Sequence, residues 1–124
     1  MKRLITLLIL LAPFALLAAV ANLSWTNATK NVDGSSIPAT GAGSLTNTVV
    51  EYGSCVGTAF GTKLGEISVA GTVLSATVPG LAPGTYCFRA KHVNTYAEPS
   101  DWSTVVSKTY AAPKPNPPEN FSIG

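Results

Sequence analysis

The sequence predicts an all-β chain, a two-sheet antiparallel sandwich, and three observations carry that expectation. Beyond the first 21 residues the chain is poor in helix formers and rich in Thr, Val, Ser, Gly and Pro. No stretch there repeats apolar residues at the i, i+3, i+4, i+7 spacing of a helix face. Period-2 alternation recurs instead and is broken by turn residues, as in strands with one buried face.

The elements follow in chain order. Met1-Lys2-Arg3 is a short basic start, Leu4 to Leu17 is nearly unbroken Leu, Ile, Ala and Phe, and Ala19-Val20-Ala21 places small residues where a signal peptidase reads. Residues 1–21 therefore read as a secretory signal peptide. Cleavage after Ala21 removes Lys2 and Arg3 from the 8 Lys+Arg, leaving 6 against 6 Asp+Glu, a net charge near zero. A neutral chain of this size is a single domain without a basic face for nucleic acid. Beyond the leader, no apolar run approaches the roughly 18–20 residues of a membrane span.

In the mature part, Leu23 and Trp25 alternate with polar neighbours as a first strand. Asn27 to Ala42 is a long loop with turn signals at Asp33-Gly34 and Pro38. Thr46 to Tyr52 is a strand with Thr48, Val50 and Tyr52 on one face. Gly53 to Gly65 holds the first cysteine and a short strand near Ala59–Thr62, and Glu66 to Ala70 is strand-like again. Val73 to Val78 continues the pattern, with Leu74, Ala76 and Val78 on one side. Thr85 to Asn94 is the longest strand, with Tyr86, Phe88, Ala90 and His92 on one face and Cys87, Arg89, Lys91 and Val93 on the other. Thr104 to Tyr110 is the last. Roughly six or seven short strands at this spacing suit a β-sandwich.

Leu23-Ser-Trp25-Thr, Val32-Asp-Gly34-Ser-Ser-Ile37-Pro, Val78-Pro-Gly-Leu81-Ala-Pro83-Gly84-Thr85-Tyr86-Cys-Phe88-Arg-Ala90 and Asn94 through Glu98-Pro-Ser100-Asp-Trp102-Ser103 together resemble a fibronectin type III domain, of the immunoglobulin-like sandwich class, over Asn22–Tyr110. The resemblance implies that Trp25 packs in the core. It also implies that Tyr86, following the Leu-x-Pro-Gly-Thr turn, is a corner residue whose hydroxyl bonds to backbone. Tyr86 follows Gly84-Thr85 directly, where the family usually has one residue between. Ser100-Asp101-Trp102-Ser103 resembles half of the Trp-Ser-x-Trp-Ser element of related receptor domains, which implies that Arg89 or Lys91 stacks on Trp102. Pro99 stands where the first Trp of that element would be.

Two cysteines in a secreted chain are most simply a disulfide, Cys55–Cys87, which implies an oxidising compartment: secreted, periplasmic or cell-surface. The strands that carry them are neighbours in the sandwich resembled. A redox or metal-binding pair is the alternative, but Cys-x-x-Cys spacing and a second His are both missing. For catalysis the chain offers little. His92 is its only His, and Asp33, Glu51, Glu66, Glu98, Asp101 and Glu119 are scattered. Asp33 in an Asp-Gly turn reads as a turn residue rather than a calcium ligand. No enzyme, cofactor or metal site is expected, and neither is a nucleic-acid partner.

Contacts with a protein or carbohydrate surface ligand are expected on the Asn27–Ala42 and Asn94–Asp101 loops, which should lie at one end of the sandwich. Tyr96 is the leading candidate, with Asn94, Glu98 and Trp102. The reading that Tyr96 simply packs on its own loop stands beside it. The compact leader and Gly/Thr-rich style suggest a bacterial or phage source; in a eukaryotic secretory route Asn22, Asn27 and Asn120 would be glycosylation acceptors.

Ala111 to Gly124 opens with a Pro-rich spacer and ends Pro118-Glu-Asn-Phe121-Ser-Ile123-Gly, which resembles the first strand of a following domain. Three readings of this tail stand: a disordered remnant, a strand folded back on its own domain, or a strand that completes a neighbouring subunit through Phe121 and Ile123, giving a homo-oligomer. The expected function is a secreted non-enzymatic module for adhesion or for protein or carbohydrate binding. The alternative is a self-assembling structural subunit.

Overall fold

The computed structural model describes residues 18–124. No helix forms among them, and six strands appear in order: β1 Ala19–Ser24, β2 Leu45–Val56, β3 Ala59–Ala70, β4 Ser75–Leu81, β5 Gly84–Asn94 and β6 Val106–Tyr110. They make two antiparallel sheets, β1-β4 and β3-β2-β5-β6. The all-β, two-sheet expectation is therefore met. Most of the leader reading falls on residues 1–17, outside the described residues. Its final Ala19-Val20-Ala21 lies within β1, which begins three residues before the expected domain start. Alternation makes those residues good strand material: Ala21 faces inward opposite Val78 and is 2% exposed.

β2 is the hub of the larger sheet because both of its edges are paired. Thr48↔His92, Val50↔Ala90 and Tyr52↔Phe88 stand opposite each other on one face, and Val49↔Lys91 and Glu51↔Arg89 on the other. The first set points toward the smaller sheet, where Phe88 packs with Ala21, Val78 and Leu81, flanked by Leu23, Tyr52, Ile67, Tyr86 and Tyr110. The two separate strands expected near 59–62 and 66–70 are one strand, β3. Register shifts around Gly53 let the hairpin bend instead of breaking. Gly53 is required there: a Cβ would stand 2.1 Å from the Thr62 carbonyl oxygen.

β4 starts at Ser75, not Val73, and leaves Leu74 exposed. It continues through Pro79-Gly80, where three residues of β4 span two of β1. Gly80, at φ 73°, supplies the left-handed residue that such a bulge needs. β6 starts at Val106 rather than Thr104, because the preceding segment satisfies the β5 edge in another way. The Ser100 and Ser103 hydroxyl oxygens accept from the His92 and Ala90 N–H groups, while the Ser100 and Ser103 N–H groups donate to the carbonyls of the same two residues.

The sandwich is unequal. Two strands face four, and among the described residues the β1 edge away from β4 has no partner. A groove runs along that edge between β1 and β6, mainly apolar where Leu23, Trp25, Phe88 and Val106 line it and more polar toward Val20, Asn22, Ser107, Lys108 and Tyr110. Trp25 therefore departs from its expected place sealed between the layers. It lies just past β1, half-buried and outside the central cluster, and its buried indole N–H has no acceptor. The layer that would close over it is only two strands wide.

Candidate functional site

The long loop after β1 and the loop after β5 meet at one end of the sandwich. The Thr95 N–H donates to the Ser44 carbonyl (3.0 Å), and the Gly43 N–H donates to the Thr95 hydroxyl (2.6 Å). The first loop folds on itself: Lys30 bridges Ser36, the Asn31 N–H reaches the Ser35 carbonyl, and Asp33 accepts from both the N–H and the hydroxyl of Ser35. Those two donors hold the Asp33 carboxyl below the usual carboxylate range. Its oxygens are thus engaged in an Asx-type turn. Among the described residues no group of three His, Cys, Asp or Glu side chains could hold a metal ion.

The second loop is shaped by Asn94. Its side-chain oxygen accepts from the N–H groups of Tyr96 (2.9 Å) and Glu98 (3.1 Å), and the turn is completed by Ala97 at φ 60°. Asn94 is therefore a positioning residue, its acceptor used within the loop. Tyr96 is raised at the tip, 67% exposed, with its ring edge close to Gly43 of the other loop. Glu98 and Asp101 are exposed nearby in the chain. An exposed phenol on a hydrogen-bonded turn offers contact area at small cost in side-chain entropy.

Trp102, the fourth expected contact residue, belongs to a different place, the outer face of the four-stranded sheet. There the Arg89 guanidinium stacks on it at 4.2 Å from the ring centroid and on Phe60 at 4.1 Å, and the Lys91 ammonium lies 4.6 Å from a ring centroid of Trp102 as well. Arg89 also donates through Nε (3.1 Å) and Nη2 (2.8 Å) to Glu51, which Lys63 approaches at 3.5 Å while pairing with Glu66 as well. Burial pushes the Glu51 carboxyl up, but the hydrogen bonds and charge of Arg89, with Lys63, outweigh it and hold the value low. Cys55 and Cys87 are bonded to each other at the end of the same β2–β5 pair, with Cα atoms 5.3 Å apart. This face is a set of cross-links between neighbouring strands.

His92 is a clasp rather than a free base. The Ala28 N–H donates to Nε2 (3.4 Å), which leaves the proton on Nδ1 to be donated to the Thr48 hydroxyl (2.9 Å). Burial pushes the imidazole below the ordinary histidine range, toward this neutral form. At the opposite end, the Tyr86 hydroxyl donates to the Ala82 carbonyl (2.8 Å) while its ring meets Tyr110.

No family model, curated protein or solved structure matches the chain. The side chains above therefore have to carry the functional reading themselves. Three of the four expected contact residues, Asn94, Tyr96 and Glu98, share one loop. Sequence reasoning missed Phe60 and Glu51 as partners of Arg89, and Lys63 as a second partner of Glu51. The signal for Glu51 was present, since alternation along β2 puts it on the face opposite Thr48, Val50 and Tyr52. The register that sets it across from Arg89 was not readable from one strand alone.

Proposed function

We propose that the chain is a non-enzymatic interaction module of the fibronectin type III kind, acting outside the cytoplasm and presenting Tyr96 to a protein or carbohydrate surface. The observation that carries the reading is the pair of mutually bonded loops that keep an aromatic side chain exposed on a rigid, disulfide-linked support. The family reading is supported by the sheet order β3-β2-β5-β6 against β1-β4, by the Tyr86 hydroxyl bonded back to Ala82, and by Arg89 and Lys91 over Trp102. The disulfide suits an oxidising location. Binding should be measured on a glycan array and on a panel of intact bacterial cells, with the purified protein and with Tyr96→Ala. The expected result is binding that the substitution weakens about tenfold with an unchanged melting temperature. Undiminished binding by Tyr96→Ala, or no binding to either probe, would remove the reading.

A further inference from the structure

We propose that the groove between β1 and β6 is the receptor for the C-terminal segment of a second copy of this chain, so that copies join by strand donation. The first support is the groove's shape. It follows the edge of β1 that has no partner among the described residues, where an added strand finds free backbone groups and an apolar floor made by Leu23, Trp25 and Phe88. Val20, 46% exposed, and Val106, 53% exposed, stand on its two rims, beside Asn22, Ser107 and Lys108. The unpaired indole N–H of Trp25 would gain an acceptor from an added backbone.

The second support is the segment itself. Phe121 and Ile123 alternate with Asn120 and Ser122, so both project from one face of an extended strand. Neither is covered in the single chain, where they are 90% and 98% exposed. An antiparallel donor with Phe121 beside Leu23 would bring Ile123 beside the small Ala21. Pro118, which has no N–H to donate, lies before the pairing stretch.

The third support favours a second copy over the chain's own tail. β6 ends at Tyr110, paired with Gly84, close to Leu81 and hence to the Ala19 end of β1. A donor antiparallel to β1 must run toward that same end. The chain's own tail would first have to climb the whole strand on a polyproline spacer, about 3.1 Å per residue over Ala111–Pro118, and then reverse. The reversal would use Glu119-Asn120, leaving Phe121–Gly124 to pair. A segment arriving from another copy can enter in the right direction without a turn.

The test is sedimentation velocity over a concentration series for the full chain, for a chain ending at Pro117, and for Phe121→Asp. Each is paired with a titration of the synthetic peptide Pro118–Gly124 into the shortened chain, followed by Trp fluorescence. Strand donation predicts concentration-dependent assembly of the full chain, weakened about tenfold or more by Phe121→Asp. It also predicts a monomeric shortened chain that binds the peptide. A full chain that stays monomeric while its shortened form binds the peptide would place the tail in its own groove and overturn the proposal. A shortened chain that neither binds the peptide nor loses assembly would overturn it too. Tyr96→Ala leaves assembly unchanged if this reading holds, so the loop-end binding and the strand donation fail separately.

Discussion

The two layers of this sandwich are held by different means. The four-stranded sheet is tied across its strands on the outer face by the Cys55–Cys87 bond, by the Glu51–Arg89 pair and by Arg89 lying between Phe60 and Trp102. The β1-β4 layer has its mutual ladder and one face of apolar contacts, with an edge beside Trp25 that is open among the described residues. One layer keeps its shape through links within itself. The other keeps its shape only as far as its inner face is covered, which makes it the layer whose stability a partner can change.

The largest effect should come from the links of the first layer. Replacing both cysteines by Ser is expected to lower stability in urea unfolding by about 3–4 kcal/mol, the loop-closure value for a ring of this size. A loss below about 1 kcal/mol would mean that the sheet does not depend on the bond. Next comes Arg89→Met, expected to cost about 2–4 kcal/mol, because Glu51 is left buried with Lys63 alone. Arg89→Lys should recover little of this, since an ammonium cannot offer the planar fork that meets Glu51 while stacking on two rings. The sign of the pH dependence follows. Glu51 is held low in the folded chain, so its stabilisation is full above the ordinary carboxylate range and is lost as pH falls through the lowered value. In Arg89→Met the acid unfolding midpoint should therefore move to higher pH.

The same contrast explains what the sequence revealed. Strands whose faces differ in polarity are readable, because alternation is a property of a single strand: β5 starts within a residue of its expected place, and Thr48, Val50 and Tyr52, expected on one face, share the inward one. Tyr96 could be named as an exposed tip because the loop is bounded by Asn94 and Pro99. The cross-links needed register, which depends on bulges such as that at Gly53, and so Phe60 and Glu51 went unseen beside Arg89. Trp25 is expected inside because the family resembled packs a Trp of that strand in its core. What its type does not tell is how many strands lie over it.

A smaller effect should appear at the start of β1. A chain beginning at Asn22 lacks the pairings Ala19↔Leu81 and Ala21↔Val78 and uncovers Val78, so it should be about 1–2 kcal/mol less stable than one beginning at Ala19. Equal melting curves would show that the small layer does not rely on these residues. The mass of the mature protein would show which of the two starts occurs.

The smallest effect concerns the joint between the regions. His92 sits on the four-stranded sheet, accepts from Ala28 in the segment leaving β1, and is kept neutral by burial. A depressed histidine value makes the unfolded chain bind the proton first. The stabilisation is thus full above the ordinary histidine range near pH 6.5 and falls as pH drops from there through the folded value. His92→Gln should flatten the part of the stability profile that begins as pH falls below the ordinary histidine value near 6.5, while leaving the Glu51 step in place. If the wild-type profile were already flat there, protonation would cost the clasp nothing, and the two layers would not be coupled through His92.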